Sequence, residues 1–203
     1  MKKSMKALAA ASAVGLMFIS GGPAIAESTY GYNSTGTGTA TATSRVNLSV
    51  TVPKMILLRV GSAGATIDTA SWTVSASIPA TPTIPAATAN NVPVTWSGAA
   101  PTMTASASPA AISVYAWTNA AAGTINCALG AWSATGGPAN ADFSVTVTGT
   151  LPHPGANLGA CAATPFTSNS LVTGTWQYVL GGTPGSWLAG AYTNVITYTA
   201  SGV

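Results

Sequence analysis

Beyond residue 26, no stretch of this chain repeats its apolar residues at the 3.6-residue period of a helix. Apolar positions alternate instead, in short runs broken by Gly, Pro and Asn. Val46, Leu48, Val50 and Val52 alternate with Asn47, Ser49 and Thr51, the period-2 pattern of a half-buried strand. Pro53 interrupts that run, and Met55, Ile56, Leu57 and Leu58 follow without alternation. A strand that breaks at proline and resumes can pass between two packed sheets. Trp72, Val74, Ala76 and Ile78 alternate again, as do Val92, Val94 and Trp96, then Ile112, Val114 and Ala116 with Tyr115 and Trp117 opposite. Further strand-like segments occupy residues 124–129, 142–148, 171–180 and 190–200. Prolines at 79, 82, 85 and 93 favour an extended surface loop between them. Roughly eight to ten short strands separated by turn residues predict an all-β chain, a single antiparallel β-sandwich over residues 45–203. Trp72, Trp96 and Trp176 fall in phase with apolar neighbours and are expected in its core.

Residues 1–26 have the anatomy of a secretory signal: Lys2, Lys3 and Lys6, an apolar stretch over 7–20, and the small-x-small site Ala24-Ile25-Ala26. Export to the periplasm and then the cell surface is therefore expected. The leader holds half of the six basic residues, so the pI near 9.0 belongs to it. What remains is Arg45, Lys54 and Arg59 against Glu27, Asp68 and Asp142, plus His153, a formally neutral set. Hydroxyls and amides must supply solubility, and a neutral surface tends to associate. Nucleic-acid binding needs a basic patch to displace counterions, and none exists here. No later apolar run approaches the ~20 residues of a membrane-spanning helix.

Cys127 and Cys161 are expected to form a structural disulfide in an oxidising compartment. With one imidazole in the chain, a four-ligand zinc site has too few ligands. A hydrolase would have to be assembled from His153, Asp68 or Asp142 and one of many hydroxyls. His153 lies in Leu151-Pro152-His153-Pro154-Gly155, which reads as a rigid turn with a solvated histidine. Neither enzymatic function nor a cofactor is expected. Trp132 and Trp187 sit beside glycine and proline in loops, where exposed rings could stack on a sugar.

Residues 27–44 are of low complexity. Tyr30 and Tyr32 precede an alternation of threonine with Gly36, Gly38, Ala40 and Ala42. Threonine favours strands, but a face of glycine and alanine builds no core alone. The segment is either a flexible N-terminal arm or a strand ordered by a partner.

Residues 46–61, from the alternating run through Pro53 to Gly61, resemble the first strand of pilins of the colonisation-factor and archaic chaperone–usher families. Residues 188–199, in which Gly190-Ala191-Tyr192 leads into alternation, look like their closing strand, and residues 112–119 echo an inner one. The resemblance implies an immunoglobulin-like sandwich that lacks one strand. A periplasmic chaperone occupies its groove first and the arm of the next subunit then replaces it, with an outer-membrane usher as a further partner that the resemblance implies. Affinity in such strand addition comes from main-chain hydrogen bonds and alternate side chains. Head-to-tail repetition without closure gives a filament of identical copies. The candidate donor arm is then Tyr30, Tyr32, Gly36, Gly38, Ala40 and Ala42. Its small residues would bury little apolar area, so the groove is shallow, the tyrosines anchor it, or the arm is not the donor. The expected function is a structural subunit of a bacterial surface filament, with a host receptor or glycan as a further partner. The alternative is a secreted monomeric carbohydrate-binding module.

Overall fold

The computed structural model describes residues 28–80 and 83–203, so the leader and Glu27 lie outside the described residues. Nine strands and two single-turn 3-10 segments make up its regular structure, and the chain is all-β with antiparallel pairing throughout. It divides into two units at Val52/Pro53, C-terminal to the boundary expected at residues 44/45.

In the unit Pro53–Val203, β1 (Ile56–Val60), β4 (Ile112–Thr118), β8 (Val172–Leu180) and β6 (Phe143–Gly149) form a four-stranded sheet in the order β1-β4-β8-β6. A three-stranded sheet runs β7-β5-β9, from Thr164–Phe166, Gly123–Leu129 and Ile196–Gly202. β2 (Val74–Ser77) and β3 (Thr102–Ala105) form a separate pair. Register places Leu58, Ala116 and Val172 in one cross-strand row and Val60, Val114 and Gly174 in the next, so one face of the larger sheet is aliphatic. That face meets Ile125 of β5 and Phe166 of β7 around the fully buried Trp176, making a two-layer sandwich. Trp176 lends its indole N–H to the Leu151 carbonyl, 3.2 Å away, which satisfies the one polar atom of the largest core side chain. A second cluster stacks Trp132 on Phe143 (5.6 Å) and sets Trp72 edge-on to the same ring (5.4 Å). The disulfide Cys127–Cys161 ties β5 to the loop before β7 across a Cα separation of 5.3 Å.

Four expectations change. Residues 46–52 are not a half-buried strand; they join no ladder, because the chain enters the four-stranded sheet only at Ile56, after Pro53. Residues 92–96 form only an isolated bridge between Ala80 and Trp96, and Trp96 is 60% exposed, because this loop has no sheet to join. Residues 190–195 are irregular, so the closing strand starts later, at Ile196. His153 is buried at 7% exposure, because the Pro-His-Pro turn folds inward against the aromatic core.

Candidate functional site

The two sheets meet at β1 and β9, each the terminal strand of its own sheet, and the two strands pack against each other without pairing. Their inward residues follow from alternation: Ile56, Leu58 and Val60 on β1, and Ile196, Tyr198, Ala200 and Gly202 on β9. None of them is fully covered. Leu58, Val60, Tyr198 and Ala200 pack on the main core cluster but remain half-buried, whereas Val114, Ile125 and Trp176 behind them are sealed. β1 and β9 thus leave a half-covered interior row beside two strand edges that pair with no further strand among the described residues.

The chain preceding this unit is apolar and uncovered. Val46, Leu48, Val50 and Val52 are 78%, 91%, 85% and 72% exposed. Residues 39–55 contain no turn, bend or ladder. The Thr/Gly/Ala stretch before them behaves differently. The Asn33 carboxamide caps a reversal by accepting from the Thr35 N–H (3.0 Å) and hydroxyl (2.7 Å), and it donates to the Thr37 carbonyl. Thr29 Oγ1 donates to the Thr43 carbonyl at 2.9 Å, and Gly31 lies so close to the Thr41 backbone that a β-carbon would sit 2.6 Å from its oxygen. Tyr30, Tyr32, Gly36, Gly38, Ala40 and Ala42 thus belong to a segment that doubles back on itself.

Where the arm leaves the unit Pro53–Val203, one side chain holds the backbone. Asn119, the residue after β4, accepts from the Met55 N–H (2.7 Å) and donates to the Pro53 carbonyl (2.7 Å). Its own N–H reaches the Met55 carbonyl at 3.3 Å, which also accepts from the buried Thr118 hydroxyl at 2.9 Å. Nothing in the sequence marks this asparagine; its only signal is its place at the end of an alternating strand.

The remaining candidates are dispersed. Trp132 and Trp187 were expected to be exposed, yet both are half-buried. Trp132 is stacked on Phe143 and donates to Asn140 Oδ1 at 2.8 Å. The Asp68 carboxylate accepts from the Ser62 N–H at 2.9 Å, and Asp142 accepts from the Ala139 N–H at 2.8 Å. Arg59 lies over the Tyr115 ring, 3.9 Å from its centroid, on the outer face of the larger sheet. His153 binds neither carboxylate. It contacts the Gly155 carbonyl and the Tyr198 hydroxyl, and its burial lowers its pKa below the ordinary 6.5 while the Gly155 contact opposes this. Among the described residues, no three His, Cys, Asp or Glu side chains gather as a metal site would require. The same residues include no helix long and apolar enough to cross a membrane. No protein-family model matches this chain, and no curated protein or solved structure matches it either.

Proposed function

We propose that this protein is an exported structural subunit of a bacterial surface filament, built on an immunoglobulin-like sandwich that is completed by a strand from the next copy. The observation that carries the reading is the pairing of surplus with deficit in one chain. Four aliphatic side chains stand exposed at alternate positions 46, 48, 50 and 52, and the interior rows of β1 and β9 stand half-covered. Full burial of a valine or leucine contributes about 1.5–3 kcal/mol, so four could contribute roughly 6–12 kcal/mol before the cost of ordering the strand. Glycine and alanine at positions 36–42 could not approach that. The donor segment of this reading is therefore residues 46–52, with residues 28–43 as a leading loop. In transit, a periplasmic chaperone and an outer-membrane usher would shield the same seam.

Electron microscopy of material sheared from producing cells tests this. The native chain should give filaments, and so should a chain lacking residues 30–43. Leu48→Asp with Val50→Asp should abolish them, since two carboxylates would enter an apolar seam unpaired. Secretion of the native chain as a folded monomer that never polymerises would overturn the reading.

A further inference from the structure

Beyond residue 26 the charged side chains are Glu27, Arg45, Lys54, Arg59, Asp68 and Asp142, and Arg59 and Asp68 line one open cleft of about 620 Å³ at the end of β1. The turn after β1 sets Asp68 there. Its Oδ2 accepts from the Ser62 N–H at 2.9 Å and from the Ser62 hydroxyl at 3.2 Å, and a β-carbon on Gly61 would lie 2.5 Å from the same oxygen. Oδ1 has no partner among the described residues. Arg59 rests on the Tyr115 ring, with Cζ 3.9 Å from its centroid, and its N–H donors reach no acceptor among the described residues. On the other side of Arg59, a second hollow of about 370 Å³ is lined by Leu57, Tyr115, Trp117 and Leu171. Register pairs Leu57 with Trp117 and Arg59 with Tyr115, so these four project from the outer face, opposite the row Leu58, Ala116 and Val172 that meets the core. Trp117 is half-buried, and its indole N–H is given to no acceptor among the described residues.

We propose that this strip of the outer face is a binding site for a neutral saccharide, with Trp117 as the ring it lies on and Arg59 and Asp68 as the groups that read its hydroxyls. A sugar hydroxyl both donates and accepts, so a guanidinium and a carboxylate in one cleft can satisfy neighbouring hydroxyls from both directions. The C–H face of a pyranose is apolar, and the exposed Leu57 and Leu171 share the hollow of the Trp117 ring on which it would rest. Trp117 and Tyr115 are two positions apart on β4, about 7 Å, so a disaccharide is long enough to reach from the ring to the charged cleft. The charges also choose the class. Arg59 and Asp68 balance, and a ligand carboxylate or sulfate drawn to Arg59 would meet Asp68 in the same cleft. A protein partner fits less well, because the large exposed apolar side chains of these hollows are Leu57 and Leu171, far short of the ~800 Å² per partner of a stable interface. The outer face lies across the sheet from the interior row of β1, so this site stands with or without strand exchange.

Saturation-transfer difference NMR on the full exported chain tests this, with lactose, mannobiose and chitobiose as neutral probes and sialyllactose as an acidic one. A neutral disaccharide should bind, with transfer strongest along one C–H face, and sialyllactose should bind more weakly than lactose. Trp117→Leu removes the ring, whereas Arg59→Lys keeps a cation over Tyr115 and loses the planar fork of donors. Each should weaken binding at least about tenfold. Arg59 is exposed, so Arg59→Lys should leave the melting temperature unchanged, and it keeps the test decisive should Trp117→Leu impair folding. Native affinity in Arg59→Lys overturns the proposal. Failure of every neutral probe to bind at millimolar concentration, or a preference for sialyllactose, overturns it too. Both variants should form filaments as the native chain does, so a negative result here leaves the strand-exchange reading untouched.

Discussion

The Tyr198 hydroxyl donates a hydrogen bond to Nε2 of His153 over 2.8 Å. The direction follows from two facts: Nδ1 lies 2.6 Å from the Gly155 carbonyl, which can only accept, so Nδ1 carries a proton, and burial disfavours a second proton on the ring, which leaves Nε2 to accept. Tyr198 in turn accepts from Tyr178, also at 2.8 Å. This chain of three side chains joins the loop after β6 to β8 of one sheet and β9 of the other, with His153 edge-on to Trp176 at 4.9 Å.

Stability should therefore depend on pH. His153 is harder to protonate in the folded protein than in the unfolded chain, so the unfolded state binds more protons below pH 6.5. Stability is full above that value and declines as pH falls from 6.5 through the lowered folded pKa. Both tyrosines are shifted upward, mainly by burial, so stability should decline again above pH 10. Urea midpoints measured from pH 4 to 11 check both limbs, and His153→Gln should flatten the acid limb alone.

Trp176→Ala should cost about 3–5 kcal/mol, as expected for emptying a fully buried aromatic site. The Leu151 carbonyl would lose its partner as well. Thermal melts followed by circular dichroism would register the loss.

Reduction of Cys127–Cys161, which spans 34 positions, should lower stability by about 3–4 kcal/mol on the chain-entropy model. Cys127→Ala with Cys161→Ala should reproduce the effect without reductant. Equal urea midpoints for the oxidised and reduced protein would contradict this.

Gly149→Ala should destabilise by more than about 1 kcal/mol. Gly149 has φ of 104°, and a β-carbon there would meet the Thr173 carbonyl oxygen and lie 2.6 Å from Gly174 Cα. Hydrogen exchange should show the β6–β8 ladder opening first in the variant, since Gly149 is registered with Gly174 and both neighbours lie on β8.

Alternation made most of the sandwich legible: β4, β5, β6 and β8 lie where Val114, Ile125, Val145 and Trp176 fall in phase. β3 and β7 were not legible, because Thr102–Ala105 and Thr164–Phe166 are too short for a period to register. The pattern at residues 46–52 was visible, yet the segment joins no ladder, because alternation reports the two faces a strand would have and not whether a partner strand lies beside it. His153 misled for a related reason. A histidine between prolines reads as a surface turn, and only tertiary contacts with Tyr198 and Trp176 reveal it as interior. Asn119 carried no local signal, because its role depends on meeting Pro53 and Met55 from far along the chain.

The long excursion between β2 and β3 offers a use of another kind. From residue 83 to 101 every position is exposed, the backbone is pinned by the Ile78–Thr83 and Ala80–Trp96 bridges, and Asn91 already sits in the left-handed region at φ 55°. Foreign sequence is accommodated where the host backbone has few bonds to lose. A passenger epitope spliced between Asn90 and Asn91 would leave both core clusters and the disulfide intact, which makes this loop a ready cloning site for multivalent antigen display.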